Sequence, residues 1–491
     1  MVALSIYRLV CLPMSSRPLW LFLAWFAAAT PVAAQAPLFL SSDHWTRSAL
    51  QRLAITGAVD VAAAGLSWPA SRAEVADWLA AAQERDDPRA HMFQHLFARE
   101  HRPERRLYSR FSLGAQTQYD QVRAGTMLDV NNGYEYPGPV LVPDDRSAFL
   151  LGELHARLFG PFAFGLQSTA RADDVQLDAG YLSARIGPVD AWAGRRTLAF
   201  GNAPGESLVL NETTTFDGAG ISARRGVRLP LAGRVYPELM VARLPRSGTV
   251  LHPWFHAMRL TVAPSSSWAI GFNRAAIFGG EGHINVTPGR VLLMLVGLPD
   301  VAGKDSDFEN QVASVDFLWR TRLGTWPLGV HGELGADDSG WAFLRVPGLV
   351  AGVEIGALPA LPALALGVEF THIARRCCTY PPWYQHGALA DGWTERGTLL
   401  GHPLAGAGSE LALYGRADLS HAPLLLAGRF YVRDRAAENL LAPLRLGRSV
   451  GGRFSLLAPW RRTQFELRAD VEFGSRRWQT SHFSAAASLF L

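Results

Sequence analysis

The sequence has little cysteine and almost no lysine. Only three cysteines occur among its 491 residues. Cys11 lies in the N-terminal apolar region, and Cys377 and Cys378 are adjacent, so these two could pair only through a strained vicinal bridge. A disulfide scaffold is therefore excluded. Lys304 is the single lysine, and no run of basic residues with interleaved aromatic residues indicates nucleic-acid binding.

The sequence also lacks the motifs of zinc and nucleotide chemistry. It contains no His-Glu-x-x-His pattern, no phosphate-binding loop and no Cys-x-x-Cys pair. Residues 218–223 fit the letters of the dinucleotide fingerprint, but they precede a predicted strand and not a helix, so no helix N-terminus would face a pyrophosphate. We expect no cofactor, no metal site and no enzymatic activity.

An apolar run near the N-terminus predicts export. Arg8 and Arg17 precede the run Leu19 to Ala29, and small residues follow it. A run of 11 residues is too short to cross a bilayer, whose hydrocarbon core is about 30 Å thick. This pattern predicts a signal peptide over residues 1–34, with Met14 as an alternative start.

Residues 35–105 have helical character. Ser71 and Glu74 form a capping box, because the serine side chain can accept from the glutamate N–H while the glutamate side chain reaches back. Asp87-Pro88 is a second helix start. The spacing of apolar residues after both starts predicts a small bundle of two or three helices.

From Leu107 onward, apolar and polar residues alternate with a period of two. Phe465 and Leu467, for example, alternate with Glu466 and Arg468, so one face of the segment is apolar and the other is charged. This pattern predicts strands to the end of the chain. The predicted strands cover residues 107–119, 148–158, 161–171, 177–186, 189–199, 219–229, 235–244, 255–263, 267–274, 311–323, 327–335, 349–357, 363–371, 410–420, 424–434, 448–457, 463–474 and 481–491.

The predicted strands are even in number, and the connections between them alternate in length. Tight turns such as Phe159-Gly160 and Gly187-Pro188 take turns with longer loops, which is typical of bacterial transmembrane barrels. A lipid environment favours a sheet that closes into a barrel, because an unpaired backbone group in hydrocarbon costs several kcal/mol. The sequence therefore predicts an all-β transmembrane barrel of about 18 antiparallel strands over residues 106–491. We expect it in the bacterial outer membrane, with its long loops at the cell surface and the N-terminal helices in the periplasm.

Two long loops hold the candidate binding residues. The loop from His372 to Ser409 is rich in aromatic and charged residues, and the strand count directs it outward. Aromatic rings stack on sugar rings, and charged side chains bond hydroxyls or sugar carboxylates; the same rings could instead form an interfacial girdle. The loop from Ala275 to Asn310 contains an apolar stretch, Val291 to Leu298, that could fold inward as a plug. The candidate polysaccharide-binding residues are Tyr380, Trp383, Tyr384, His386, Trp393, Glu395, Arg396, Glu281 and His283.

Several segments carry a resemblance to a known family. The entry segment ends in Leu66-Ser67-Trp68-Pro69. Further segments are residues 192–195, 207–210, 278–280, 307–311, 383–387 and 401–404, with Asp316, Glu333, Asp337 and Asp338. Together they resemble the capsule-assembly Wzi family of outer-membrane proteins, and the entry segment is similar to the periplasmic helical part of that family. The resemblance implies an 18-stranded barrel that acts as a surface lectin holding capsular polysaccharide.

We expect a non-enzymatic protein that binds capsular or extracellular polysaccharide and helps to assemble or retain it at the cell surface. Outer-membrane lipid and the barrel-insertion machinery are its other expected partners. A diffusion porin is the first alternative, since barrels of about 16 to 18 strands can leave an aqueous channel. An outer-membrane enzyme with paired carboxylates at the barrel mouth is the second.

Overall fold

The structure, a computed structural model, describes most of the chain after residue 35. Several sequence predictions fall outside the described residues: the signal peptide over 1–34, the Cys377-Cys378 pair, the inward stretch Val291 to Leu298, and the candidate site residues Tyr380 and Arg396. Within the described part, none of the helices has the length and hydropathy needed to cross a membrane. The described residues are 36–40, 44–101, 106–120, 146–172, 174–201, 206–211, 214–247, 250–283, 286–287, 289, 309–337, 346–375, 382–386, 389, 391–395, 398–419, 423–441, 445–475 and 478–491.

Helices come first in the described chain. The capping box that starts the third helix is present, with the Glu74 carboxylate accepting from the Ser71 N–H at 2.7 Å. Asp87 caps the fourth helix and Pro88 is its first residue, so both predicted helix starts are confirmed. The helices are α1 (Thr46–Thr56), α2 (Ala62–Gly65), α3 (Arg72–Glu84) and α4 (Pro88–Glu100).

The described residues thus contain four helices and not the two or three predicted. The first two helices carry no start signal, because neither Trp45 nor Val61 caps its helix with a side-chain hydrogen bond. The second is a single turn of four residues. Propensity and capping alone do not reveal elements of this kind, which tertiary packing stabilises.

Eighteen barrel strands follow the helices in the described residues, in close agreement with the predicted spans, and two short ribbons lie outside the barrel sheet, Arg246–Ser247 with Val250–Leu251 and Thr394–Glu395 with Thr398–Leu399. The strands are β1 (Leu107–Asp120), β2 (Arg146–Arg157), β3 (Phe162–Ala170), β4 (Val175–Ile186), β5 (Val189–Arg196), β6 (Phe216–Ser222 and Val227–Leu229), β7 (Gly233–Arg243), β8 (Trp254–Ser265), β9 (Trp268–Phe278), β10 (Glu309–Leu323), β11 (Trp326–Asp337), β12 (Gly348–Ile355), β13 (Leu364–Ile373), β14 (Gly408–Leu419), β15 (Leu424–Arg435), β16 (Gly447–Trp460), β17 (Thr463–Gly474) and β18 (Gln479–Phe490).

The strands form one closed antiparallel barrel. Each strand pairs with its neighbours in sequence, and β1 pairs with β18 in a register that runs from Arg110 opposite Phe490 to Asp120 opposite Thr480. Closure leaves the sheet without an edge, so the ladder satisfies the backbone groups of every strand. The predicted fold class is confirmed.

The two faces of the wall differ as the alternation predicted. On β14, Leu411 and Leu413 point outward and are 50% and 59% exposed, whereas Glu410 points inward and is 1% exposed. Phe465 and Leu467 on β17 are likewise exposed, and Gln464 is buried. The apolar face is therefore the outside of the barrel, as lipid requires.

The helices fill one end of the barrel. We call this the short-turn end, because it carries tight connections such as 187–188 and 324–325. Arg52 of α1 donates to the carbonyls of Gly356 at 2.9 Å and Ala363 at 2.8 Å, in the connection between β12 and β13. The opposite, long-loop end carries loops such as 374–407, although some of its connections are also short.

The break in β6 also serves the helices, and it corrects the prediction of one unbroken strand over 219–229. At the break, Arg224 turns inward and donates to the Glu74 carboxylate at 2.6 Å and to the Ser67 hydroxyl at 2.7 Å. The interruption lets a wall arginine bind the N-terminus of α3, a contact that the alternation pattern does not encode.

Candidate functional site

The aromatic residues predicted to bind sugar lie inside the barrel. Trp383, Tyr384 and Trp393 are all 0% exposed. The indole N–H of Trp383 donates to the Val346 carbonyl at 2.8 Å, and that of Trp393 donates to the Val209 carbonyl at 2.9 Å. These rings have no face open to solvent, so in this conformation they cannot stack on a sugar.

The rings belong to a structure that we call the inner plug, formed by the described parts of residues 197–211 and 382–404. The two segments fold into the lumen from the long-loop end and pack on each other and on the wall. The buried apolar residues of the plug are Leu198, Phe200, Leu208, Val209, Leu210, Trp383, Tyr384, Leu389, Trp393, Leu399, Leu400 and Leu404.

Tyr384 joins the two segments of the plug. Its hydroxyl donates to the Leu208 carbonyl at 2.7 Å and accepts from the His402 N–H at 3.0 Å. Burial raises the pKa of Tyr384 well above its usual value, so the hydroxyl stays protonated and can donate. A Cβ at position 401 would lie 2.5 Å from the tyrosine ring, which explains the glycine there.

Wall carboxylates hold the plug in place. Glu333 of β11 accepts from the Ser207 hydroxyl at 3.0 Å and from the Leu208 N–H at 3.1 Å. Asp337, at the end of the same strand, accepts from the Tyr384 N–H at 2.5 Å. The plug is therefore bonded to the wall through its backbone as well as packed against it.

A ladder of charges lines the wall beneath the plug. Arg429 donates to Glu369 at 2.8 Å and to Glu410 at 2.6 Å, and Arg433 donates to Glu410 at 2.5 Å and to Glu472 at 3.1 Å. Each carboxylate is at most 1% exposed and has arginine partners. Charge pairing lets these carboxylates remain ionised although they are buried inside the barrel.

Two clusters of described residues have metal-ligand composition. In the first, Glu369, His402 and Glu410 offer ligand atoms that all lie within 4.8 Å of one another. Arginine already binds both carboxylates, and its positive charge opposes a metal cation there. Residues 44, 100 and 101 form the second cluster, at the short-turn end.

The catalytic motif Gly-x-Ser-x-Gly occurs once in the sequence, at residues 447–451. Here it lies within β16 and not at a turn from a strand to a helix. The Ser449 hydroxyl donates to the Glu472 carboxylate at 2.6 Å, as part of the charge ladder. The surroundings of this serine are those of a structural residue in the wall.

Glu281 lies on an exposed surface at the long-loop end. Its backbone pairs with that of Leu251, and its carboxylate lies 3.1 Å from His252 Nδ1. Both side chains are more than half exposed, and Arg246, which lies in the same loop as His252, is exposed as well. We call Arg246, His252, Glu281 and the half-buried His283 the outer-loop surface.

The other predicted site residues do not share this surface. Glu395 is 2% exposed. His386 is half-buried, and its Nδ1 accepts from the Leu389 N–H at 3.2 Å, so it stabilises its own loop. Tyr380 and Arg396 lie outside the described residues.

The comparison with protein families decides the family. The family model of the capsule assembly protein Wzi matches residues 93–425, more than half of the chain. The chain belongs to the Wzi capsule-assembly family. Among curated proteins, no match to this sequence is found.

The solved structure of a Wzi barrel supports the fold. The Wzi barrel of Escherichia coli, an outer-membrane protein involved in group 1 capsule assembly and described as carbohydrate-binding, has a TM-score of 0.68 at 18% identity, covering 92% of this chain and 99% of its own. The Pseudomonas aeruginosa barrels OpdQ and OpdL have TM-scores of 0.47, identities of 9% and 12%, and cover 78% of this chain and 97% and 98% of their own.

Three of the segments that resemble the Wzi family lie in the plug, and two further residues of the resemblance anchor it. Residues 207–210, 383–386 and 401–404 belong to the plug, and Glu333 and Asp337 hold it. Part of the Wzi resemblance thus lies in residues that pack the plug against the wall.

Sequence reasoning missed Arg246 and His252. His252 has a positive φ of 49° and precedes Pro253, so the dipeptide marks a tight turn. That signal predicts a turn but not an exposed pair with Glu281, because the partner comes from another loop. The sequence favours the loop richest in aromatic residues as the binding site, and the described part of that loop folds inward.

Proposed function

We propose that this Wzi-family protein binds capsular or other extracellular polysaccharide at the cell surface and helps to assemble or retain it there, without catalysing a reaction. The supporting observation is a Wzi-family barrel whose lumen is occupied from both ends. A barrel filled in this way leaves its loops, and not its interior, as the surface on which a long polymer can lie.

The outer-loop surface is the proposed contact. His252, Glu281 and Arg246 supply donors and acceptors for sugar hydroxyls, and the arginine can pair with a sugar carboxylate. Each contact is weak because the groups are solvated. Many such contacts along one polymer would raise the overall affinity.

The proposed orientation places the long loops outside the cell and the helices in the periplasm, with lipid around the barrel and the insertion machinery as an assembly partner. Single cysteines at Glu281, whose side chain is exposed at the long-loop end, and at Pro264 test it, in a background with the native cysteines replaced. The first should react with an impermeant thiol reagent on intact cells and the second should not. The reverse labelling pattern would overturn the orientation.

A conducting porin is the alternative that the plug opposes. The plug and the helices occupy the lumen at opposite ends, so the purified protein should give little conductance in planar bilayers. Steady, large channels from the wild-type protein would favour the porin and contradict the proposal.

Polysaccharide retention is the decisive experiment. Deletion of the gene should reduce cell-bound polymer and increase released polymer, and purified protein in detergent should bind the polymer. The double variant His252→Gln with Glu281→Gln should weaken binding. Arg85→Gln is the matched control, since it breaks an exposed ion pair with Asp60 at the opposite end. Unchanged retention in the deletion strain together with no binding by the pure protein would reject the function.

A further inference from the structure

Three metal-ligating side chains meet at the short-turn end, away from the outer-loop surface. His44 lies two residues before the start of α1 at Thr46. Glu100 is the last residue of α4, and His101 follows it. All three are buried, with exposures of 8%, 5% and 6%. Their side chains converge although residues 44 and 100 are 56 positions apart.

The three ligand atoms have the spacing of one coordination polyhedron. His44 Nε2 lies 2.8 Å from Glu100 Oε2 and 3.3 Å from His101 Nε2, and the third edge is 3.9 Å. Zinc binds histidine nitrogen and carboxylate oxygen at about 2.0–2.2 Å in tetrahedral geometry. Two ligands of such an ion are about 3.3–3.5 Å apart, which is close to the mean of the three edges.

Hydrogen bonds within the cluster do not satisfy all of its nitrogen and oxygen lone pairs. The Thr46 hydroxyl oxygen lies 2.8 Å from His44 Nδ1 and can accept the Nδ1 proton of a neutral ring, which leaves the Nε2 lone pair facing Glu100 Oε2 at 2.8 Å. His101 Nε2 then faces a nitrogen at 3.3 Å and a carboxylate oxygen at 3.9 Å, which is beyond hydrogen-bond distance. A cation would accept both Nε2 lone pairs and the carboxylate together.

Neighbouring groups orient two of the ligands. The Trp45 indole N–H donates to Glu100 Oε1 at 2.8 Å, leaving Oε2 for the cluster, and the Thr46 hydroxyl lies 2.8 Å from His44 Nδ1. Partners of this kind, on the far atom of each ligand, fix ligands in metal sites. Glu100 and His101 also line a cavity of about 240 Å³, which has room for water as a fourth ligand.

We propose that His44, Glu100 and His101 form a binding site for one divalent transition-metal ion of zinc-like preference. Two imidazoles and a carboxylate with one open position are a ligand set that zinc favours. The ion would fasten the start of the helical region to its end, next to β1. The site is independent of the proposed polysaccharide function.

Metal titration of the full mature chain in detergent tests the proposal. After dialysis against a chelator, the protein should bind one zinc per chain in calorimetry, and zinc should raise its thermal midpoint. Cobalt added in place of zinc should give the visible absorption of a tetrahedral site, a readout that needs no variant. His44→Gln and His101→Gln should each weaken zinc binding at least tenfold.

His95→Gln is the matched control, because His95 lies exposed on the same helix α4 and outside the cluster. It should bind zinc as the wild type does. Absence of stoichiometric zinc binding and of the cobalt absorption in the wild type would overturn the proposal. Binding that persists unchanged in both cluster variants would overturn it too, since the metal would then sit elsewhere.

Discussion

Replacing Tyr384 with phenylalanine tests whether hydrogen bonds between its two segments hold the inner plug together. The change keeps the ring but removes the hydroxyl that donates to Leu208 at 2.7 Å and accepts from His402 at 3.0 Å. All three residues are at most 1% exposed. Water therefore cannot replace the lost partner in the closed plug.

The expected loss of plug stability follows from the two backbone groups that lose their partner, the Leu208 carbonyl and the His402 N–H. Each buried group without a partner costs about 1–3 kcal/mol, so opening of the plug should become easier by at least about 2 kcal/mol. Since about 1.4 kcal/mol corresponds to a factor of ten, amide exchange through local opening should accelerate roughly 30-fold.

Hydrogen exchange measured by mass spectrometry reports this opening. The amides to follow are Asn211, Trp393 and Leu400, which donate to plug carbonyls at 2.7, 2.8 and 3.0 Å. Tyr236→Phe on the barrel wall is the control and should leave these amides unchanged. If Tyr384→Phe accelerates them by less than about threefold, the hydroxyl does not hold the plug and the reasoning fails.

Three further predictions concern other parts of the molecule. Arg52→Leu leaves the buried Asp418 without its ion-pair partner, which costs about 3–5 kcal/mol; limited proteolysis should then cut the helical region faster, and adding Asp418→Asn should restore part of the resistance. Burial lowers the pKa of His402 from 6.5. The unfolded chain therefore binds a proton at His402 more readily than the folded plug does, and the plug loses stability as the pH falls below 6.5. His402→Asn should flatten the pH dependence of plug exchange by up to about 1.4 kcal/mol per pH unit, and an unchanged slope would contradict this. Gly280→Ala places a Cβ 2.5 Å from the Val250 side chain, so it should shift Glu281 and weaken polymer binding in pull-down assays more than Gly282→Ala. Both glycines have a positive φ, of 111° and 80°, but a Cβ at position 282 meets nothing within 4 Å, so the difference between the two variants reports the contact with Val250.

Sequence alternation predicted the wall well, because lipid outside and a polar lumen inside impose the same period on every strand. Leu411 and Leu413 against Glu410 carry this signal locally, within three or four residues. The helix starts at Ser71 and Asp87 were predictable for the same reason, since a cap and its helix are neighbours in sequence. The strand break at Arg224 was not, because its partner is Glu74, 150 residues away.

The fate of the aromatic loop could not be predicted from the sequence. Trp383 and Trp393 have composition suited both to a sugar-binding surface and to a buried core. Their burial depends on carbonyls of Val346 and Val209, and Val209 lies 184 residues from its partner Trp393. The cluster of His44, Glu100 and His101 was missed in the same way, since its ligands come from opposite ends of the helical region.

The pairing of β1 with β18 constrains the order in which the molecule can assemble. The cylinder is complete only when the final strand meets the first, yet the helices and the two inward segments lie within its circumference. Folded helices and loops can enter the lumen more easily while β1 and β18 are still unpaired than after the barrel has closed. The wall is therefore expected to wrap around a preorganised interior, with its last hydrogen-bond ladder forming as the final step of biogenesis.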